Sequence, residues 1–292
     1  MFHNLQYYFL KAISKTICLL PYFVVVHIGR GLGYLYYLAA KRQRERGIDQ
    51  AMRGLEASPA EAEKVVRGLF YNLGQTLLEV MYMPALNSKK MKKLISIEGL
   101  DNLDKAMKLG KGVVFLTAHI GNWEWLAAAL SSTGFPITTI VKAQPNDQYN
   151  RFLNEYREMM GVEVFSRGTS EMLGAARALK KGKVLGFLAD QDGGEKGVFV
   201  DFLGKKASTP AGPAVFAEKF ESAIVPGFIF HRPNGGHHIV IGSPFIYEAD
   251  SDSELALEKN TVRMTKIIEE AIKQHPKDWL WFQKRWNTQY RG

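Results

Sequence analysis

A histidine and a glutamate stand five positions apart at the end of an apolar segment. His119 and Glu124 enclose Ile-Gly-Asn-Trp, and the segment 112–117 before them is apolar and β-branched behind a glycine, which is typical of a buried parallel strand. A neutral imidazole can take a proton from a hydroxyl, and a carboxylate on its other nitrogen fixes the tautomer and stabilises the imidazolium. The spacing therefore predicts a general base with its orienting carboxylate, which would turn a bound alcohol into a nucleophile.

Two other roles fit the same pair. His119 could cap the helix that follows, with Glu124 on the surface of that helix. Both could instead bind a metal ion, but helical metal signatures place two histidines one turn apart with further ligands nearby, and none is evident here. Position favours chemistry, because open α/β sheets bind ligands beyond the carboxyl ends of their strands.

The elements that must position this pair alternate along the chain. We predict strands at 112–117, 137–141, 162–165, 184–190, 224–230 and near 237–242, and helices at 121–133, 147–160, 170–181, 210–221 and near 255–275. This alternation predicts an α/β fold in which a largely parallel sheet is flanked by helices. Upstream, Ser58-Pro59-Ala60-Glu61 is a capping box with proline at the first helical position, which predicts an amphipathic helix to about Met83.

The N-terminal segment is apolar but interrupted. The run 16–29 has no Lys, Arg, Asp or Glu, Arg30 follows it, and the run 31–40 is again uncharged. Neither run reaches the roughly 20 residues that a spanning helix needs. Together they predict an uncleaved tilted anchor or an interfacial hairpin, with a kink at Pro21; the alternative is a buried amphipathic helix pair. We therefore divide the chain into an N-terminal membrane-associated helical segment, 1–45, and a main domain, 46–292.

Composition and charge restrict the other possibilities. A chain of 292 residues with 46% hydrophobic content can bury one large core, and its single cysteine, Cys18, excludes an intrachain disulfide. The net charge of +9 could indicate nucleic-acid binding, but the cations are scattered and no nucleic-acid motif occurs. The cations that directly follow the apolar segment favour the cytoplasmic side of a membrane and attraction to anionic lipid; they are Lys41, Arg42, Arg44 and Arg46.

Four further residues are candidates for substrate binding. Arg167 follows a predicted strand, and its planar guanidinium suits phosphate oxygens. Asp190 and Asp192 reach the same sheet edge as His119, where they could hold Arg167, bind sugar hydroxyls or cap a glycine turn. Asn122, inside the His119 motif, completes the set.

Five other polar residues are expected to have structural roles. Asn72 and Glu79 lie near one face of the helix that the capping box begins. His231, His237 and His238 flank a Gly-Gly turn and have no carboxylate at a useful spacing, so we predict that they are loop or strand residues.

Several blocks of the sequence occur in an order that resembles a known family. They are His119 to Glu124, the helix from Ser58 with Phe70 to Glu79, Asp190-Gln191-Asp192, Gly197 to Gly204 with Ala207-Ser208-Thr209, and Trp279 to Trp286. These blocks resemble the lipid A biosynthesis acyltransferases, within the wider lysophospholipid acyltransferase superfamily. Two departures concern substrate detail: Gln283-Lys284 stand where the family commonly has His-Arg, and Ile48-Asp49-Gln50 where it has Arg-Asn-Leu.

The resemblance implies a function and a fold. The fold would be glycerol-3-phosphate acyltransferase-like, with an acyltransferase domain over 46–292. The reaction would move a fatty acyl chain from acyl carrier protein or CoA, as cosubstrate, to a hydroxyl of a membrane lipid acceptor, with a lipid A precursor as first choice. It would need no metal, no other cofactor and no acyl-enzyme. His119 and Glu124 would form the base, and Arg167 would hold a phosphate or the donor.

The same resemblance implies partners and a location, and it leaves alternatives open. Acyl carrier protein is strongly acidic, which suits a basic chain, and the lipid acceptor implies the cytoplasmic face of the cell inner membrane. The acceptor could instead be a lysophospholipid or another glycolipid, such as a mannosylated phosphoinositide, or an ornithine lipid. A thioester hydrolase, in which His119 activates water, and a non-catalytic lipid-binding protein also fit. Backbone N–H groups near Gly121 or a basic side chain would meet the oxyanion.

Overall fold

The computed structural model of the chain describes residues 4–141, 146–166 and 169–290. Its helices are α1 (Leu5–Cys18), α2 (Tyr22–Ala39), α3 (Lys41–Leu55), α4 (Pro59–Tyr82), α5 (Ser88–Leu94), α6 (Leu100–Met107), α7 (Trp123–Ser132), α8 (Asp147–Met159), α9 (Thr169–Lys180), α10 (Gly212–Phe220) and α11 (Ser253–Gln274). Its strands are β1 (Ile95–Glu98), β2 (Val113–Thr117), β3 (Ile137–Val141), β4 (Glu163–Ser166), β5 (Val184–Leu188), β6 (Val198–Phe202), β7 (Lys205–Thr209), β8 (Ala223–His231) and β9 (His237–Ile241).

The main sheet has the strand order β1-β9-β8-β2-β5-β3-β4. Strands β8, β2, β5, β3 and β4 are mutually parallel, whereas β9 is antiparallel to β8 and parallel to β1. The predicted α/β fold with a largely parallel sheet is therefore confirmed. Because β2 and β5 are neighbours in the middle of the sheet, the residues that follow them, His119 and Asp190, meet at its carboxyl edge.

Both faces of the sheet are covered, which explains why its central strands are apolar throughout. Val113 and Phe115 of β2 pack into a core cluster with residues of α7. Val114 and Leu116, which point to the opposite face, pack into a second cluster with residues of α9 and α10.

Helix α4 begins at the predicted capping box. The Ser58 hydroxyl accepts from the Glu61 N–H, and Glu61 Oε2 accepts from the Ser58 N–H at 2.9 Å. Small residues then bring α2 against α4: a Cβ at Gly33 would lie 2.1 Å from the Phe70 carbonyl oxygen. The close approach makes α2 a packed element of the structure.

The N-terminal helices leave a broad apolar surface uncovered. Pro21 lies at the start of α2 and separates it from α1. Arg30 donates to Gln75 Oε1 at 2.9 Å and to the Pro233 carbonyl at 3.1 Å, so protein contacts hold the cation that interrupts the apolar segment. We call the exposed large side chains of this region the apolar face; they are Leu5, Tyr8, Phe9, Leu19, Phe23, Ile28, Leu32, Tyr34, Leu35, Tyr36 and Leu38.

Helix length bears on the predicted anchor. Among the described residues, no single helix has the length and apolarity needed to cross a membrane. Helices α2 and α3 have sufficient length and apolarity only when taken together, and they bend by 93° at their junction. The predicted boundary at residue 45 falls inside α3.

Candidate active site

A constrained turn brings His119 to the edge of the sheet. Gly121 has a φ of +60°, and a Cβ there would lie 2.1 Å from the Ile229 carbonyl oxygen, so this close approach in the left-handed region requires glycine. The Gly121 N–H donates to the Asp278 carbonyl at 2.9 Å, and Ile120 forms an antiparallel bridge with Trp279. The C-terminal segment therefore holds the turn, and the Gly121 N–H is not available to an oxyanion.

The imidazole of His119 is held by Asp190. Asp190 Oδ1 lies 2.8 Å from His119 Nδ1 and accepts from the His119 backbone N–H at 3.1 Å. The Trp123 ring packs edge-on to the imidazole, with the ring centroids 4.9 Å apart. With a proton on Nδ1 shared with the carboxylate, Nε2 keeps a lone pair. The Gln191 amide nitrogen lies 3.4 Å from Nε2. Because of this lone pair, Nε2 can accept a proton from a substrate hydroxyl.

Asp190 is itself buried and fully supported. Its Oδ2 accepts from Trp279 Nε1 at 2.8 Å and from Gln283 Nε2 at 3.1 Å. Burial opposes ionisation, but the adjacent His119 ring and these donors hold the pKa of Asp190 well below its ordinary value. Gln283, one of the departures from the resembled family, thus supplies a hydrogen bond to the residue that orients the base.

Glu124 pairs with an arginine that the sequence did not single out. Arg157 Nε donates to Glu124 Oε2 at 2.8 Å, and Nη2 donates to Oε1 at 2.5 Å. Both side chains are mostly buried, with exposed fractions of 10% for Glu124 and 14% for Arg157. Both Glu124 oxygens therefore accept from Arg157, which lies near the end of α8. His119 forms its hydrogen bond with Asp190 and not, as predicted, with Glu124.

Two other predicted site residues lie in structural positions. Asn122 is buried; its Oδ1 caps α7 by accepting from the Trp125 N–H, and its amide donates to Glu79. Asp192 accepts from Thr288 Oγ1 at 2.8 Å and from the Gly194 N–H, as expected of a glycine-turn cap. Arg167 lies outside the described residues, so its predicted contact with phosphate or donor stays a prediction.

A buried carboxylate lies directly behind the turn that carries His119. Glu79 accepts from Tyr22 and Gln75 on Oε1, at 2.6 and 2.7 Å, and from Asn122 and His237 on Oε2, both at 2.9 Å. Burial opposes the ionisation of Glu79, but His237 and the other donors hold its pKa at about 2. Burial also lowers the pKa of His237, so a neutral ring donates through Nε2.

This cluster also contains His231, which bonds to Asp278 through Nδ1 at 2.6 Å. The ligand atoms of Glu79, His231 and His237 lie within 4.8 Å of one another, which is a spacing that a metal ion could bridge. Four hydrogen bonds already satisfy the Glu79 carboxylate, whereas His237 Nδ1 is buried and has no hydrogen-bond partner among the described residues. Sequence spacing could not find it, because its members come from α2, α4, β8, β9 and the turn before α7.

The site opens into a cavity of about 540 Å³. His119, Glu124 and Arg157 lie in its wall, and most of the remaining lining is apolar. Its walls come from α4, α7, α8 and strands β2, β3 and β5; apolar members include Leu73, Leu77, Val80, Phe115, Leu126, Leu130, Ile137, Leu153, Val162 and Val184. An oriented base beside an apolar cavity of this size suits a reaction on a molecule with a long hydrocarbon chain.

The chain is similar to several proteins that are named acyltransferases. The model of the bacterial lipid A biosynthesis acyltransferase family matches residues 1–288. A phosphatidylinositol mannoside acyltransferase of Mycobacterium tuberculosis is 29% identical over 221 residues, which cover 73% of this chain and 67% of the relative. A lipid A biosynthesis palmitoleoyltransferase of Escherichia coli is 26% identical over 280 residues, which cover 94% and 88%. The crystal structure of a 1-acyl-sn-glycerophosphate acyltransferase from Thermotoga maritima aligns with 90% of this chain and 98% of that chain, at 15% identity and a TM-score of 0.39.

Proposed function

This chain belongs to the bacterial lipid A biosynthesis acyltransferase family and is an acyltransferase, and from that premise we propose that it moves a fatty acyl chain from a thioester to a hydroxyl of a membrane lipid, with His119 as the general base. The observation that carries the proposal is the hydrogen bond from His119 Nδ1 to buried Asp190, which leaves Nε2 beside the apolar cavity.

The reaction needs one proton carrier and no acyl-enzyme. His119 Nε2 takes the proton of the acceptor hydroxyl, whose oxygen bonds to the thioester carbonyl carbon. The carbon–sulfur bond then breaks, and the proton passes from His119 to the departing sulfur. Asp190 stabilises the imidazolium between these two transfers, and this arrangement is worth about 100- to 10,000-fold in rate.

Glu124 has a different task in this proposal. Its carboxylate holds the Arg157 fork in the cavity wall. Desolvation lowers the pKa of Arg157, but the charge and hydrogen bonds of Glu124 outweigh it and raise that pKa above its ordinary value. A fixed cation at this point can attract the phosphate of an anionic lipid acceptor or of the acyl donor. Glu124 therefore positions a substrate-binding group.

The apolar face supports work at a membrane surface. It consists of exposed apolar side chains on and between α1 and α2, and many exposed apolar side chains in one region are typical of membrane or protein contact. Helix α4 packs under α2 through Gly74 and lines the cavity through Leu73 and Leu77, of which Leu77 is also exposed. We propose interfacial binding to the cytoplasmic face of the inner membrane, with a lipid acceptor entering from the bilayer.

A lipid A precursor is the acceptor we propose, because the family model and the Escherichia coli relative both carry that name. A mannosylated phosphoinositide is the second candidate, because the Mycobacterium tuberculosis relative is slightly more identical over the part it covers. Both acceptors are anionic glycolipids, which suits a chain of net charge +9. An acidic acyl carrier protein is the donor that this charge favours over CoA.

The test is an acyl-transfer assay with purified protein in detergent. Labelled acyl carrier protein or CoA thioester is mixed with each acceptor in turn, and the wild type is compared with His119→Ala. The matched control is His238→Ala, a partly exposed histidine on β9 that pairs with Glu98. Label should enter lipid at least 100-fold more slowly with His119→Ala than with the wild type, and at the wild-type rate with His238→Ala. Equal transfer by both histidine variants would overturn the base assignment, and acceptor-independent release of free fatty acid would identify a hydrolase.

A further inference from the structure

Two of the described strands have a glycine in their interior, and the two glycines differ in their surroundings. Glycine weakens a strand, and where it occurs another group usually approaches closely. At Gly227 in β8 that group is Phe115, whose ring carbon Cζ would lie 2.2 Å from an added Cβ. At Gly186 in β5, the nearest atom to an added Cβ is the Thr138 carbonyl oxygen at 3.5 Å. The protein itself therefore fills the space over Gly227 and leaves the space over Gly186 open.

The open space over Gly186 belongs to the cavity that contains the base. Gly186 is in register with Phe115 on one side and Thr139 on the other, in the middle of the parallel sheet. It lies in the cavity wall between Val184 and Leu188. It is partly exposed although its strand is central, whereas Leu185 on the opposite face is completely buried. The cavity is thus continuous with the sheet surface at the one position of β5 that has no side chain.

The distance from the base to Gly186 can be read from the strand register. Phe115, the register partner of Gly186, precedes His119 by four positions, which is about 13 Å at about 3.3 Å per residue. An extended chain advances about 3.3–3.6 Å for every three bonds. An acyl chain with its carbonyl at His119 therefore passes Gly186 after about eleven bonds. The row formed by Val184 and Ile137 lies two residues deeper, at about seventeen bonds by the same measure.

We propose that Gly186 determines the length of the acyl chain that this enzyme accepts. The inference rests on the proposed acyl transfer and concerns the apolar end of the same substrate. Chains of up to about ten carbons end before Gly186 and do not need it. Chains of about twelve to sixteen carbons run across the bare backbone of Gly186 toward Val184 and Ile137, and a side chain at position 186 blocks them.

The test is a donor series with saturated acyl chains of eight to sixteen carbons. Gly186→Leu should keep transfer of the eight- and ten-carbon chains and lose transfer of the longer ones, by about fourfold for each methylene that can no longer be buried. The ratio of sixteen- to ten-carbon transfer should therefore fall at least 50-fold. Gly186→Ala, whose Cβ meets ordinary contacts, should shorten the limit by one or two carbons. The short-chain activity of each variant is its own folding control.

A second measurement does not depend on turnover. Binding of free fatty acids of the same lengths is measured by displacement of a fluorescent fatty acid, in His119→Ala and in His119→Ala/Gly186→Leu. Selective loss of long-chain binding supports the proposal, whereas equal affinities at every length, or equal loss at every length, overturns it. If the wild type transfers no acyl chain from any thioester, the proposed function fails, and this binding series still decides the role of Gly186.

Discussion

Asp190 holds His119 at two points, because the same carboxylate oxygen accepts from the ring Nδ1 at 2.8 Å and from the backbone N–H at 3.1 Å. The second contact fixes the main chain that carries the ring, and the first fixes the ring itself. Since Trp279 and Gln283 occupy the other oxygen, the carboxylate cannot turn away. The C-terminal segment therefore sets the direction in which the base faces.

Asp190→Asn should lower kcat by about 100- to 10,000-fold, because an amide cannot satisfy both sides of this arrangement. If its oxygen faces His119, its N–H₂ group confronts the donors of Trp279 and Gln283. If the amide is turned around, its N–H₂ group faces the His119 N–H groups and disfavours the tautomer with the proton on Nδ1. Steady-state kinetics measures the effect. Asp201→Asn, an exposed residue on β6, is the control and should retain wild-type activity; equal activity in the two variants would contradict the role of Asp190.

Glu124 and Arg157 should behave as a mutually dependent pair. Glu124→Ala leaves a mostly buried guanidinium without its carboxylate, so the free energy of unfolding should fall by about 3 kcal/mol. The double variant Glu124→Leu/Arg157→Met, which removes both charges, should recover most of that loss. Denaturant titration of the single and double variants measures both values.

The kinetic constants separate this pair from the base. Because Asp190 and not Glu124 contacts the imidazole, Asp190→Asn should lower kcat, whereas Glu124→Gln should leave kcat in place and raise KM. A loss of kcat in Glu124→Gln as large as that in Asp190→Asn would restore the His119–Glu124 dyad.

The sequence predicts the fold better than the hydrogen bonds of the site. Apolar strands alternating with amphipathic helices are local patterns, and each of the five parallel strands predicted between 112 and 230 is present in the structure. Strand β1 and the hairpin of β6 and β7 were not predicted, because short strands with mixed polarity have no distinctive period. The partner of His119 was assigned to Glu124 by proximity in sequence, whereas β5 delivers Asp190 from the neighbouring position in the sheet. Which carboxylate reaches a histidine depends on strand order, and spacing along the chain does not encode strand order.

Acid should destabilise the protein through the Glu79 cluster. Burial lowers the pKa of His237 below 6.5 in the folded state, so the unfolded chain binds a proton first as the pH falls through 6.5, and the free energy of unfolding decreases. Glu79, whose folded pKa is also below its ordinary 4.5, acts with the same sign as the pH falls from 4.5 toward 2. His237→Gln keeps a donor for Glu79 and does not titrate.

Thermal or denaturant unfolding between pH 7 and pH 4 tests this prediction. Below pH 6.5, the free energy of unfolding of the wild type should fall by up to about 1.4 kcal/mol per pH unit more than that of His237→Gln. His238→Gln, which changes a partly exposed histidine on the same strand, should follow the wild type. Identical pH dependence in all three proteins would show that His237 titrates alike in the folded and unfolded chains.

The apolar face should bind lipid bilayers. Ile28 and Leu35 lie on one side of α2 and are exposed by 44% and 59%. Because about half of each side chain is already buried, its transfer into a bilayer should contribute about 1 kcal/mol, so Ile28→Glu/Leu35→Glu should bind anionic phospholipid vesicles at least tenfold more weakly in a sedimentation assay. The control Leu109→Glu/Leu255→Glu places the same charges at exposed leucines outside this face. Equal binding by the two double variants would remove the apolar face as the membrane contact.

Gly121 and Gly110 provide a matched test of how tightly the His119 turn is built. Both have left-handed φ values, +60° and +71°, but a Cβ at Gly121 would collide with the Ile229 carbonyl oxygen, whereas a Cβ at Gly110 would meet open space. Gly110→Ala therefore measures the backbone strain alone, about 1 kcal/mol. Gly121→Ala adds a collision that only a shift of the turn can relieve, and that shift carries His119 away from Asp190. We expect a loss of at least 2 kcal/mol in the free energy of unfolding, with kcat reduced at least tenfold in the molecules that remain folded. Since the Gly110 variant should keep wild-type kcat, equal losses in both variants would mean that strain, and not the contact with β8, governs the position of the base.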